Sequence, residues 1–207
     1  MPTQYMNKLG FIFVLLAFFL AGFFISKKNG QKINGDIEID EILRATNSAS
    51  FKITVASYIF DDLEFFINDK SVKKIRVEPS DFITELSGLK LGKNEVYILA
   101  KDSKTGSKMK SEEEYITYET TKPKLIISSP KDKETVYGDT VEIKGKTDPD
   151  SFVLINDQPV DYYKDGNFGT ELKLDYGENK IKIFSQDLAG NHIRKTLTII
   201  YMYTTLL

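Results

Sequence analysis

Hydrophobic positions along this chain fall into two regimes. Residues 9–25 (LGFIFVLLAFFLAGFFI) form one run without a charge. After about residue 36 the chain becomes a succession of short runs in which apolar and polar positions alternate, the period of a half-buried strand. The C-terminal half shows them plainly at 124–129, 141–145, 152–155, 168–174, 181–184 and 193–201. In 168–174, for example, Phe168, Thr170, Leu172 and Leu174 share one face. Turn residues separate the runs: Asp165-Gly166-Asn167, Tyr176-Gly177-Glu178-Asn179 and Ala189-Gly190-Asn191 supply the Gly and Asn that tight turns require. The N-terminal half repeats the plan at 51–56, 63–67, 82–86, 94–100 and 113–118. About seven short strands in some 80 residues predict a β-sandwich.

The chain also repeats itself. Ile67-Asn68-Asp69 with Val72 recurs as Ile155-Asn156-Asp157 with Val160, Leu91-Gly92-Lys93-Asn94 as Tyr176-Gly177-Glu178-Asn179, and Ile116-Thr117-Tyr118 as Ile199-Ile200-Tyr201. Asp102 followed by Gly106 recurs as Asp187 followed by Gly190. A spacing of about 85 residues is that of a whole small domain rather than of a solenoid repeat. The expected fold is all-β: two tandem sandwiches, 36–119 and 124–207, joined by a short linker at 120–123. They follow a lead at 1–8, an apolar segment at 9–25 and a stalk at 26–35. The linker contains Pro123, which predicts limited swing.

The residues resemble bacterial immunoglobulin-like domains of the type named for the B domain of glucodextranase. The resemblance rests on the opening LIISSP at 125–130, the L-I-N-D-x-x-V hairpin at 154–160, the Y-G-E-N turn at 176–179 and the closing D-x-A-G-N at 187–191. It covers 124–203 and, less completely, 37–119, where the closing turn is Asp102-Ser103-Lys104-Thr105-Gly106. It implies two immunoglobulin-like sandwiches. Its motifs specify turns, not chemistry.

The apolar segment is 17 residues long, roughly 25 Å as a helix, the short end of what crosses a bilayer. It predicts one transmembrane signal anchor and a single-pass membrane protein. A cleaved signal peptide is the other reading, although no A-x-A site closes the segment and no lipobox cysteine exists. A third is a pilin-like leader cut after Gly10, but the fifth residue after that cut is Leu15 where such leaders carry Glu. Lys27, Lys28 and Lys32 outnumber Lys8, and the positive-inside rule alone favours a cytoplasmic C-terminus. The short lead and the domain type favour the opposite, so both sandwiches are expected outside the membrane, at the cell surface.

Charge and chemistry narrow the function. There is no cysteine, so disulfides and Cys-based metal sites are excluded. Residues 35–119 hold 12 Lys/Arg against 17 Asp/Glu, and 124–207 hold 11 against 13. Two acidic domains predict no basic face and no nucleic-acid partner. His192 is the only histidine, and no nucleophile elbow, phosphate loop or zinc motif is present, so no enzyme is expected. Asp148, Asp150, Asp187 and Asn191, with Asp165, fall in loops at one end of the second sandwich and are candidate calcium ligands. Ordinary turn chemistry explains the same residues. Tyr162, Tyr163 and Tyr176 are candidate sugar-stacking residues. The loop Tyr58-Ile59-Phe60 is expected to touch a partner or lipid, or to be partly buried. The function expected from all this is a non-enzymatic, membrane-anchored surface protein for adhesion, protein interaction or spacing. The alternatives are an accessory carbohydrate-binding protein and a minor pilin-like subunit.

Overall fold

Tight turns decide the hairpins. Asn68 and Asp69 adopt φ of 49° and 61°, and Asn156 and Asp157 adopt 48° and 62°. Two successive positive φ values twist a two-residue turn in the same sense as its strands, and Asn and Asp tolerate them better than most residues. The computed structural model describes residues 25–27, 37–161 and 164–203, in which every regular element is a strand. The chain divides between Thr120 and Thr121 into two units.

The first unit contains β1 (Ile25–Lys27), β2 (Ile37–Leu43), β3 (Ala45–Thr46), β4 (Ser50–Ser57), β5 (Asp62–Ile67), β6 (Lys70–Arg76), β7 (Ser80–Ser87), β8 (Gly92–Lys101), β9 (Lys108–Lys110) and β10 (Glu114–Tyr118). One sheet runs β1-β2-β4-β7 and the other β3-β10-β8-β5-β6, with β9 pairing the far end of β8. Strand β5 shows how sequence becomes layer: in DLEFFI, Leu63, Phe65 and Ile67 are buried while Asp62, Glu64 and Phe66 face outward. Those inward residues meet Ile53, Val55, Leu86, Val96, Ile98 and Ile116 in one core between the sheets.

The second unit contains β11 (Leu125–Ser129), β12 (Glu134–Val136), β13 (Thr140–Thr147), β14 (Phe152–Ile155), β15 (Gln158–Pro159), β16 (Asn167–Lys173), β17 (Gly177–Gln186) and β18 (His192–Tyr201). Its sheets run β11-β13-β16 and β12-β18-β17-β14-β15. Ile143, Ile155, Ile181, Ile183 and Ile199 fill the space between them. Strand for strand, this order matches that of β2 to β10 in the first unit.

The units differ at the last strand. β18 pairs β17 over ten residues without interruption. In the first unit the equivalent run is split into β9 and β10. Buried Ser111 sits at the break, donating its N–H to the Ile98 carbonyl and accepting the Ile98 N–H on its Oγ, both at 2.9 Å.

Several expectations are corrected. Alternation did not announce β3, β6, β9, β12 or β15, which are edge strands or very short pieces. The polar KSVKKIR of β6 and the Pro159 of β15 are edge chemistry. Ile25–Lys27 form β1, which pairs antiparallel with Leu43 to Glu41 of β2. The rest of the anticipated anchor lies outside the described residues, among which no helix is long and apolar enough to cross a membrane. Phe60 is buried, its carbonyl accepting the Ser57 hydroxyl at 2.7 Å, while Tyr58 and Ile59 stay exposed.

Candidate functional site

The acidic loops of the second unit are held by their own backbone. Asp148 Oδ2 accepts the Lys124 N–H at 3.0 Å. Asp187 Oδ1 accepts the Asn191 N–H at 2.9 Å and its Oδ2 the Asn191 side-chain amide at 3.1 Å. Asp165 Oδ1 accepts the Asn167 N–H at 3.1 Å. Asp150 is exposed. Next to it Ser151 is buried, with no hydrogen-bond partner on its Oγ among the described residues. No group of three or more His, Cys, Asp or Glu side chains among the described residues is arranged to hold a metal ion. His192 is exposed at the start of β18, its ring 5.4 Å from that of Phe184.

The aromatic candidates resolve differently. Tyr162 and Tyr163 lie outside the described residues. Tyr176 is 64% exposed at the turn into β17, where Gly177 takes φ 94°. Asn179 fixes that turn, its amide donating to the Asp175 and Gly177 carbonyls at 2.7 and 3.0 Å and its Oδ1 accepting the Asp175 N–H at 2.8 Å. The Tyr176 ring lies 4.9 Å from that of Tyr203 with an interplanar angle of 14°, and Tyr203 is 67% exposed. Buried Tyr201 meets both rings edge-on, at 6.1 and 5.3 Å. Burial pushes the Tyr201 phenol above its ordinary range, and Tyr203 and Asp139 add to the shift. The result is an exposed stacked pair of tyrosines at one end of the second unit. Sequence reading missed Tyr203; the signal available was the Tyr-Met-Tyr that closes β18.

The first unit overturns the expectation that neither domain has a basic face. Strand register sets two rows on the outer side of β6, β5, β8 and β9. Arg76, Asp62, Lys101 and Lys108 stand side by side in the first, and Lys74, Glu64, Leu99 and Lys110 in the second. Arg76 holds Asp62 through two bonds of 2.8 and 2.9 Å, which keeps that carboxyl below its usual range and lifts the guanidinium. Lys74 pairs with Glu64 at 3.0 Å, and Lys110 with Glu113 at 2.8 Å. Beyond these rows Phe66 stacks on Tyr97 at 4.9 Å, and Lys110 Nζ sits 3.9 Å from the Tyr97 ring centre. Burial, followed by the bond to Asp69, raises the Tyr97 phenol. Counting charges along the chain hid this face, because only two of the domain's acids, Asp62 and Glu64, stand in the rows beside their five cations.

Residues 123–203 match the family model described as glucodextranase, domain B. This stretch is an immunoglobulin-like domain. Within the chain, 86 residues (41% of it) are 31% identical to Bacillopeptidase F of Bacillus subtilis (strain 168). A match of 79 residues (36% of it) is 38% identical to Amylopullulanase of Thermoanaerobacter thermohydrosulfuricus. These matches span only 6% and 5% of the two relatives. Among solved structures, the fibronectin(III)-like modules of Clostridium thermocellum CbhA align with a TM-score of 0.55 at 15% identity, covering 77% of this chain and 88% of theirs. That likeness is one of fold alone. The pair of Tyr176 and Tyr203 therefore belongs to the immunoglobulin-like domain, and the basic rows to the other unit.

Proposed function

We propose that this chain is a non-catalytic, membrane-anchored surface module whose immunoglobulin-like domain adheres to carbohydrate. It comprises two copies of one domain, a reading supported by the common strand order. The observation that carries the adhesion reading is the exposed pair Tyr176 and Tyr203, braced from below by Tyr201. Aromatic rings give a large contact area at little cost in conformational freedom, and here packing already fixes them. Two matches carry the names glucodextranase and Amylopullulanase, which makes soluble glucans the natural probes.

Affinity electrophoresis of the full chain through gels containing pullulan or dextran tests the reading. Retardation is expected, weakened at least about fivefold by Tyr176→Ala or Tyr203→Ala, since one stacking contact is worth roughly 1 kcal/mol or more. Migration unchanged by every glucan, or retardation indifferent to both substitutions, refutes it.

The anchor and its orientation rest on the uncharged run at 9–25. A tag at the C-terminus is expected to be cut by protease added to intact cells. Protection until the membrane is broken would mean that Lys27, Lys28 and Lys32 set the topology, with both units inside.

A further inference from the structure

We propose that the outer face of β5, β6, β8 and β9 binds an acidic polysaccharide, with Lys101 and Lys108 holding its carboxylates and Leu99 the C–H surface of its sugar rings. This site lies in the first unit and does not depend on the tyrosine pair. Three observations lead to it.

The first is an unmatched pair of charges. Lys101 and Lys108 stand directly opposite each other on neighbouring strands. Like charges so placed oppose strand pairing. The two carboxylates of the same rows are already engaged, Asp62 by both arms of Arg76 and Glu64 by Lys74. Among the described residues neither Lys101 nor Lys108 has an ion-pair partner.

The second is that the fold does not ask for them. At the matching place in the second unit, where β17 turns into β18, Gln186 stands opposite His192. The turns that follow are built alike, with Asp102 N–H bonded to the Ser107 carbonyl and Asp187 N–H to that of Asn191. A glutamine opposite a histidine serves the same hairpin, so the lysines add an unfavourable contact that the architecture does not require. A local rule broken without structural return is the mark of a binding surface.

The third is shape. The rows line a groove of about 740 Å³ whose floor includes Leu99, 41% exposed. An apolar strip with a few charged groups at its rim suits a ligand that is partly C–H surface and partly anion. A sugar acid has both. An acidic peptide fits less well. It would have to add to the edge of β9, which offers three residues, and Lys108 and Lys110 there are the kind of edge lysines that discourage strand addition.

Binding of the full chain to polygalacturonate at low salt tests the proposal, with dextran and poly-glutamate as comparison polymers. Polygalacturonate is expected to bind most tightly and to weaken as salt rises. The double variant Lys101→Gln, Lys108→Gln should lose about tenfold in affinity, the size expected for two exposed charge contacts. Lys144→Gln, in the other unit, should leave it unchanged. The double variant should melt no lower than the parent, because it removes a like-charge contact. Undiminished binding by the double variant overturns the site. Poly-glutamate bound as tightly as polygalacturonate, or dextran binding that falls with the lysine double variant, overturns the ligand class. A clear drop in melting temperature assigns the lysines a structural role and overturns the inference.

Discussion

Asn94→Ala is expected to destabilise the first unit by about 3 kcal/mol, the cost of leaving several buried polar groups without partners. Asn94 is completely buried, and its side chain has every bond it can use. The amide donates to the Lys90 and Gly92 carbonyls at 2.7 and 2.8 Å. The Oδ1 accepts the Lys90 N–H at 2.9 Å and the Asn68 side chain at 2.8 Å. Asn68 in turn accepts the Glu95 N–H at 3.0 Å, so one residue ties the turn before β8 to the β5–β6 hairpin. Its counterpart Asn179 makes the same three turn bonds but is only partly buried, and among the described residues no second asparagine leans on it. Asn179→Ala should cost about 1 kcal/mol, because water replaces the lost partners. Hydrogen exchange under increasing urea reads the difference as lost amide protection, in β5 and β8 for Asn94→Ala and in β14 and β17 for Asn179→Ala. Equal losses in the two variants would mean that the Asn68 link adds nothing.

The second large effect is expected at Gly166. Its φ is 85°, and a Cβ placed there would sit 2.0 Å from the Thr147 carbonyl oxygen. That carbonyl belongs to strand backbone, and the Thr147 N–H is itself bonded to Gly166 at 2.9 Å. Beneath it the Thr147 and Ser185 hydroxyls meet at 2.6 Å in the interior. The atoms in the way are backbone and not a soft side chain, so Gly166→Ala must open the end of the β13–β16 pairing, at about 3 kcal/mol or more. Gly177, at φ 94°, has open space where a Cβ would go, so Gly177→Ala should cost only the 1–2 kcal/mol of the left-handed backbone. Each kcal/mol moves the midpoint of a domain this size by roughly 4–8 °C, so thermal melts of the two variants separate easily. A Gly166→Ala melt within a few degrees of the parent would refute the steric argument.

The two asparagines illustrate what was legible. The repeated motifs Ile67-Asn68-Asp69 and Leu91-Gly92-Lys93-Asn94 marked two turns and their places in each copy. That Asn68 and Asn94 bond to each other depends on β5 lying beside β8, a pairing of residues far apart in sequence. Strands such as DLEFFI and TVEIKGKT announce themselves because one face is buried and the other wet. β6 and β9 do not, since edge strands rich in lysine carry little alternation. The basic rows were hidden for a related reason. Arg76, Lys101 and Lys108 come from three strands, and only the register puts them on one face. Tyr176 was readable as an exposed turn residue. Its partner Tyr203 was not, because their meeting follows from the pairing of Gly177 with Tyr201.

The short parallel ladder between β12 and β18 has a mechanical consequence. Glu134, Thr135 and Val136 pair with Ile199, Ile200 and Tyr201, and the Met202 N–H continues the ladder to the Val136 carbonyl at 3.0 Å. The chain runs through β12 near the start of the second unit and through β18 near its end. Tension applied at those two ends would pull parallel neighbours in opposite directions along their own length. The bonds between them would then be loaded in shear and share the force, instead of being peeled apart one at a time. Under such a load, that pairing turns three residues of edge strand into a clasp against pulling.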